Sequence, residues 1–124
     1  MKKIKGVVVK GNQLGSKIGF PTANVLLHSD EVSTFGCGVW AVSVYIDEKK
    51  YYGVANIGKH PTVGESVQTQ IEVHIFDFDS NIYGKMLSIE LLYHLRDEKK
   101  FENVTELKKA INSDLLLAKK LISK

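Results

Sequence analysis

The spacing of hydrophobic and polar residues divides the chain into short strand-like runs and one helical tail. The strand-like runs are rich in β-branched and aromatic residues, and residues typical of turns separate them. These runs lie at Ile4–Lys10, Val39–Ile46, Tyr51–Ile57, Thr69–Phe78 and Met86–Leu95. The polar segments between them predict tight, hairpin-like connections.

Two of the runs alternate, so the pattern also predicts which side chains face a core. In the fourth run the apolar face holds Ile71, Val73 and Ile75, and the opposite face holds Glu72, His74 and Phe76. In the last run the predicted apolar face holds Leu87, Ile89, Leu91, Tyr93 and Leu95.

The tail changes period from two residues to that of an α-helix. Apolar residues at helical spacing form a single stripe: Val104, Leu107, Ile111, Leu115, Ala118 and Ile122. Asn103, followed three residues later by Glu106, has the form of a capping box and predicts the helix start. Antiparallel strands closed by one amphipathic helix predict a mainly β fold, a small barrel with a C-terminal α-helix packed against it.

Composition limits the remaining possibilities. A length of 124 residues predicts one domain spanning residues 1–124. No apolar run approaches the ~20 residues of a membrane span, so no membrane association is expected. A single cysteine, Cys37, permits no internal disulfide and indicates a cytoplasmic protein. The net charge of +3 is mild, and basic residues are not interleaved with aromatic ones, so no nucleic-acid partner is expected.

The segment Gly11–Asn24 carries the most chemical information. Its glycines recur every four residues, and Pro-Thr-Ala-Asn ends it, so little regular structure is expected. Glycine lets backbone N–H groups converge on an anion, and Lys17 adds a positive charge. Thr22 and Asn24 offer oxygen atoms suited to Mg²⁺ and phosphate. The glycine spacing alone would favour an ordinary surface loop, because it matches neither a Walker loop nor a dinucleotide-binding fingerprint.

Pro-Thr-Ala-Asn changes that balance, because a glycine-rich segment running into it resembles the riboflavin kinase family. Further similar segments follow in the family's order: Gly38–Val42, Gly53–Gly58 with Pro61-Thr62, Glu72–Phe78, Ile82–Lys85 and Leu95–Phe101. The resemblance covers nearly the whole chain. It implies a small closed antiparallel Greek-key β-barrel and an ATP:riboflavin 5′-phosphotransferase that makes FMN with Mg²⁺.

The resemblance also implies roles for residues of the nucleotide side. Thr22 and Asn24 match the residues that hold the magnesium–nucleotide complex, and Gly11 and Lys17 match positions lining the phosphates. Tyr83 and Gly84 belong to a segment that lies beside the nucleotide in the family. Lys17 as a solvated surface residue, and Tyr83 as a hairpin packing residue, remain open alternatives.

On the acceptor side, Glu72 matches the family's catalytic base. That role requires a carboxylate within hydrogen-bond reach of the riboflavin 5′-hydroxyl. His74, on the same predicted face, would orient Glu72, contact ligand or pack structurally, and packing is favoured. Arg96 and Phe101 match flavin-contacting positions. The alternatives are an ion pair of Arg96 with Asp97 or Glu98, and Phe101 as an anchor of the helix.

Three residues depart from the common bacterial pattern and affect the expected nucleotide affinity: Ser16, Trp40 and His60. The expected partners are riboflavin, FMN, ATP and ADP. The chain is expected to be a monomer and to stop at FMN, although many bacterial relatives are fused to an adenylyltransferase domain that makes FAD. The competing hypothesis is a flavin- or nucleotide-binding regulatory module with little kinase activity. Thr22, Asn24 and Glu72 together favour the enzyme.

Overall fold

A computed structural model of the chain describes residues 3–9, 23–27, 38–61, 67–78, 82–97 and 101–123. These residues form six β-strands and one helix. The strands are β1 (Lys3–Val9), β2 (Ala23–Leu27), β3 (Gly38–Ile46), β4 (Lys49–Pro61), β5 (Val67–Ile75) and β6 (Met86–Arg96). The helix is α1 (Val104–Ile122).

The strands close into a barrel in the order β1-β2-β5-β4-β3-β6, with β6 returning to pair with β1. Every pairing is antiparallel. Since β3, β4 and β5 are consecutive neighbours and β6 lies beside β3, the order is that of a Greek key. The predicted small barrel with a C-terminal helix is therefore confirmed. One strand escaped prediction, because β2 begins at Ala23, where the glycine-rich segment had suggested irregular structure.

The barrel interior is filled by β-branched and leucine side chains from all six strands. Ile71 and Val73 of β5 are fully buried there, whereas Glu72 and His74 are only partly buried. The alternation predicted for this strand is therefore confirmed. Glu72 consequently projects from the outer surface of the barrel, because its two neighbours fill the inside.

The strand β3 is buried on both faces. Val42 and Val44 point into the barrel, while Val39 and Ala41 belong to a second cluster that includes Ala118 of the helix. The helix therefore lies on the outside of the barrel, across β3 and its neighbours. Among the described residues, no helix combines the length and hydropathy that crossing a membrane requires.

The alternation predicted for β6 holds as far as Leu91 and then fails. Ala41 pairs with Tyr93, but the next residue of β3, Val42, pairs with Leu91, so one residue of β6 is extra at this point. A bulge of this kind reverses the faces of the residues that follow it, until a second register shift, between Trp40 and Val39, reverses them again before Arg96. Tyr93, predicted to be in the core, is instead 43% exposed.

The helix begins as the capping box predicted. The Asn103 side chain accepts a hydrogen bond from the Glu106 backbone N–H at 2.9 Å. Leu115, Ala118 and Ile122 of the predicted apolar stripe pack against the barrel, and Ala118 is fully buried there. Val104 was predicted to belong to the stripe but is 50% exposed, because it lies in the first turn, beyond the barrel surface that the helix covers.

Candidate active site

Three of the predicted site residues, Gly11, Lys17 and Thr22, lie outside the described residues. The remaining ones are Asn24, Glu72, Tyr83, Gly84, Arg96 and Phe101. Because they come from four separate parts of the chain, the pairing of the strands determines how close together they lie.

Glu72 lies on β5, between polar residues on both neighbouring strands. Its register partner on β2 is Asn24, and its partner on β4 is Asn56. Asn56 is exposed and Glu72 is partly exposed, so this part of the outer surface is open to a ligand. Directly opposed residues on antiparallel strands are close neighbours, with Cα atoms about 4.5–5.5 Å apart. The final residue of Pro-Thr-Ala-Asn is thereby placed one strand away from the predicted base.

The same row continues around the barrel to the predicted flavin side. Asn56 pairs with Val39 of β3, and Val39 pairs with Arg96 of β6. We call the five residues Arg96, Val39, Asn56, Glu72 and Asn24 the site row. With strands about 4.8 Å apart, Arg96 lies three strands, or roughly 14 Å, from Glu72 along this curved row. One line of paired residues therefore connects Glu72, the predicted base, with Arg96, a predicted flavin contact that is distant in sequence.

The turn at residues 82–85, just before β6, lies near Asn24, at the other end of the site row. Gly84 donates its N–H to the carbonyl of Val8 at 2.9 Å, and the Val8 N–H donates to the carbonyl of Lys85 at 2.9 Å. Val9, the next residue of β1, pairs with Asn24. Gly84 has a positive φ of 82°, which favours glycine. Tyr83 is 51% exposed in this turn.

Arg96 makes a two-pronged ion pair that the sequence analysis missed. Its Nε donates to Asp114 Oδ1 at 2.9 Å, and its Nη2 donates to Asp114 Oδ2 at 2.9 Å. Asp97 accepts from Arg96 only through its backbone carbonyl, at 3.2 Å, and its carboxylate lies 3.4 Å from His94 Nε2. The guanidinium carbon also lies 5.5 Å from the centre of the Phe101 ring. The proposed pairing with the Asp97 carboxylate is therefore wrong, and Glu98 lies outside the described residues.

His74 is involved in packing, as the sequence favoured. It is partly buried on the outer face of β5, and its ring meets the Phe76 ring edge-on, with centroids 6.0 Å apart. His74 is the penultimate residue of β5, and Phe76, just beyond the strand, packs against the cluster that includes Ala118 of the helix. His74 therefore lies between Glu72 and Phe76 on the outer face.

The described residues include no cluster of three or more His, Cys, Asp or Glu side chains suited to holding a metal. Asn24, one of the two predicted oxygen donors, lies near the start of β2 and pairs with Glu72 in the sheet register. Its partner in the prediction, Thr22, lies two residues earlier.

A second concave surface lies at the C-terminal end of the helix. This cavity, of about 550 Å³, is lined by Lys50, Tyr51, Tyr52, Phe76, Asp77, Lys119, Ile122 and Ser123. A hydrogen bond that the Lys50 ammonium donates to the side chain of Tyr52, together with its electrostatic interaction with Tyr45, raises the pKa of Lys50 above its usual value. Basic and aromatic residues that are distant in the sequence therefore lie together here, although they are not interleaved along the chain. Of the predicted site residues that the structure describes, none lines this cavity.

Comparison with known proteins identifies relatives over almost the whole chain. The family model for riboflavin kinase matches residues 2–122. A bifunctional riboflavin kinase/FMN adenylyltransferase from Haemophilus influenzae is 45% identical over 118 residues, which cover 94% of this chain and 37% of that protein. An RNA-binding riboflavin kinase from Bacillus subtilis is 39% identical over 115 residues, covering 93% of this chain and 49% of that protein. The chain therefore spans less than half the length of these two relatives.

A solved structure shares the fold. The crystal structure of riboflavin kinase from Trypanosoma brucei superposes with a TM-score of 0.70 and 24% identity, and covers 98% of this chain and 80% of its own. The barrel and the helix that place the site row are therefore found in that structure as a whole.

Proposed function

We propose that this chain, which belongs to the riboflavin kinase family, transfers the γ-phosphoryl group of ATP to the 5′-hydroxyl of riboflavin. The products would be FMN and ADP. The observation that carries this proposal is the register of β5, which places Glu72 directly opposite Asn24. That pairing brings a carboxylate beside the end of the segment proposed to hold the metal-bound triphosphate.

Glu72 would act as the general base. As the acceptor oxygen attacks phosphorus, its proton passes to the carboxylate and the bond from phosphorus to the ADP oxygen breaks. The partial exposure of Glu72 on the outer surface leaves its carboxylate accessible to an alcohol, while buried Ile71 and Val73 fix the strand beneath it. A base of this kind contributes roughly 10²- to 10⁴-fold in rate.

The nucleotide side would be formed by the segment Gly11–Asn24 together with the turn at Tyr83 and Gly84. Thr22 and Asn24 would hold Mg²⁺, and Gly11 and Lys17 would line the phosphates. When bound, Mg²⁺ supplies positive charge that neutralises the phosphate oxygens. The hydrogen bonds that join Gly84 and Lys85 to Val8 support this placement, because they fix the turn next to the strand paired with Asn24.

The flavin side would be formed by Arg96 and Phe101, at the other end of the site row. The ring system would lie near Arg96, and the ribityl chain would extend toward Glu72, roughly 14 Å away along the row, past the exposed Asn56. An arginine can hydrogen-bond to ring carbonyls, and an aromatic side chain can pack on the ring face. One chain supplies every residue of the site row, so a monomer would be sufficient.

The direct test is to incubate the purified chain with riboflavin and Mg²⁺-ATP and to separate the flavins by chromatography. We expect FMN to accumulate with an equal amount of ADP, and no FMN without ATP. Riboflavin binding without turnover would favour a regulatory module, and neither binding nor turnover would reject the proposal. We further expect no FAD, because that product needs an adenylyltransferase, the second activity in the name of the H. influenzae relative.

A further inference from the structure

Asp114 is an acidic residue in an unusual place, on the barrel-facing side of the helix. Its side chain is only 9% exposed, and it lies at helical spacing between the apolar residues Ile111 and Ala118. A buried carboxylate is costly unless it is paired and hydrogen-bonded. Its partner is Arg96, whose side chain is 27% exposed. This pair links the helix to the last residue of β6.

The hydrogen bonds of this pair fix the guanidinium group in one orientation. Three Arg96 atoms donate to Asp114 or Asp97: Nε at 2.9 Å and Nη2 at 2.9 Å to the carboxylate, and Nη1 at 3.2 Å to the backbone carbonyl. A two-pronged arginine–carboxylate pair constrains the plane of the guanidinium as well as its position. The Phe101 ring, 5.5 Å away, covers it from another side.

This arrangement leaves donors for a ligand. A guanidinium carries five N–H groups, and the described contacts use three of them. The other two belong to Nη1 and Nη2. A flavin ring offers carbonyl oxygens and ring nitrogens as acceptors, so a fixed guanidinium edge suits it.

We propose that Asp114 is a positioning residue for the flavin: it holds Arg96 in the orientation that binds the isoalloxazine ring. The inference rests on the proposed function, since it deepens the role of Arg96 at the end of the site row. It assigns the helix a part in substrate recognition, because Asp114 is the helix residue that contacts this arginine. Asp114 lies far from the nucleotide side of the row, so its effect should be specific to riboflavin.

The test replaces Asp114 with asparagine and measures KM for riboflavin and for ATP separately. Asp114→Asn removes the charge but keeps the size, so the guanidinium loses one strong partner. We expect the riboflavin KM to rise about tenfold, the scale of one charge-assisted hydrogen bond. The ATP KM should change less than about twofold. A purely structural role would instead lower thermal stability and leave the riboflavin KM of the remaining folded protein unchanged.

Two further variants show whether Asp114 acts through Arg96. In an Arg96→Met background, Asp114→Asn should raise the riboflavin KM by less than about twofold more, because the group that it positions is gone. The matched control is Asp47→Asn, which breaks the exposed ion pair between Asp47 and Lys85 and should leave the riboflavin KM unchanged. If Asp114→Asn does not fold, Asp114→Glu replaces it, since it keeps the charge but moves the guanidinium and should give the same selective effect.

The outcomes separate the two proposals. If the native chain makes no FMN, the proposed function fails whatever the variants do. If the native chain makes FMN and Asp114→Asn or Asp114→Glu leaves the riboflavin KM unchanged, the positioning role is wrong while the function stands. Equal rises in the KM of riboflavin and ATP, or fully additive effects at positions 96 and 114, would also overturn it.

Discussion

A single side chain fixes the point at which the helix begins. Asn103 has extended backbone angles, and its side chain accepts from the Glu106 N–H at 2.9 Å, one of the donors that a helix start leaves unpaired. The sequence predicted this residue, because the local pattern that forms a capping box is contained in four consecutive positions. A helix cap of this kind can be predicted from the local sequence, without knowing the rest of the fold.

The cap can be tested by replacing Asn103 with alanine. We expect a loss of about 1 kcal/mol in the free energy of unfolding, because one backbone N–H loses its partner. Urea unfolding followed by circular dichroism measures it. Asn112→Ala is the matched control, since Asn112 is exposed within the same helix and alanine favours helix there. Equal destabilisation by both variants would contradict the capping role.

Asp114 and Asn56 show where prediction from single residues stops. Asp114 interrupts an apolar stripe, which was a visible signal, but its partner lies 18 residues away and depends on how the helix crosses the barrel. Asn56 joins Glu72 only through the register of β4 and β5. By contrast, the exposed side of Glu72 followed from alternation within its own strand, so it was predictable.

At the level of elements, the helix and the barrel meet through small side chains. Ala118 and Ala41 are both fully buried, and Val39 lies beside them. Their small size allows the helix backbone to approach β3 closely. The same contact holds Asp114 over the end of β6, so helix docking and the position of Arg96 depend on each other.

Enlarging Ala118 tests this contact. We expect Ala118→Leu to lower the free energy of unfolding by about 1–3 kcal/mol, because no space exists for the added atoms and the helix must shift. Thermal unfolding measures the change. The control Ser113→Leu adds the same side chain at an exposed helix position and should alter stability by less than about 0.5 kcal/mol. If Ala118→Leu were as stable as the control, the packing described here would be wrong.

Two features at this level lay beyond the sequence pattern. A register shift near Tyr93 turned that residue to the outer face, and a second shift follows before Arg96; such bulges depend on how two strands twist against each other. The strand β2 was hidden because glycine, proline and asparagine near its start are typical of turns, whereas its pairing with β1 and β5 decides its structure. Tertiary contacts overrode local preference in both cases.

For the whole molecule, the strand order brings the residues of the proposed site into one row, and closure of the barrel adds the turn at Gly84. Asn24, Glu72 and Arg96 are separated by 48 and 24 residues, yet one row of paired positions joins them. An open sheet with the same strands would leave the turn at Gly84 away from Asn24, because the link passes through the pairing of β1 with β6. The family resemblance proposed residues for the site, and the strand order shows which of them share one row of paired positions.

The most direct test of the proposed mechanism is the turnover number of Glu72→Gln, measured with saturating riboflavin and Mg²⁺-ATP. Glutamine keeps the size of the side chain but cannot accept the proton of the flavin alcohol. The control Glu90→Gln makes the same change on β6, where the carboxylate accepts from buried Ser43 at 3.4 Å. We predict that Glu72→Gln lowers kcat at least about a hundredfold while Glu90→Gln stays within about twofold. A folded Glu72→Gln protein that makes FMN at the native rate would contradict the assignment of Glu72 as the base.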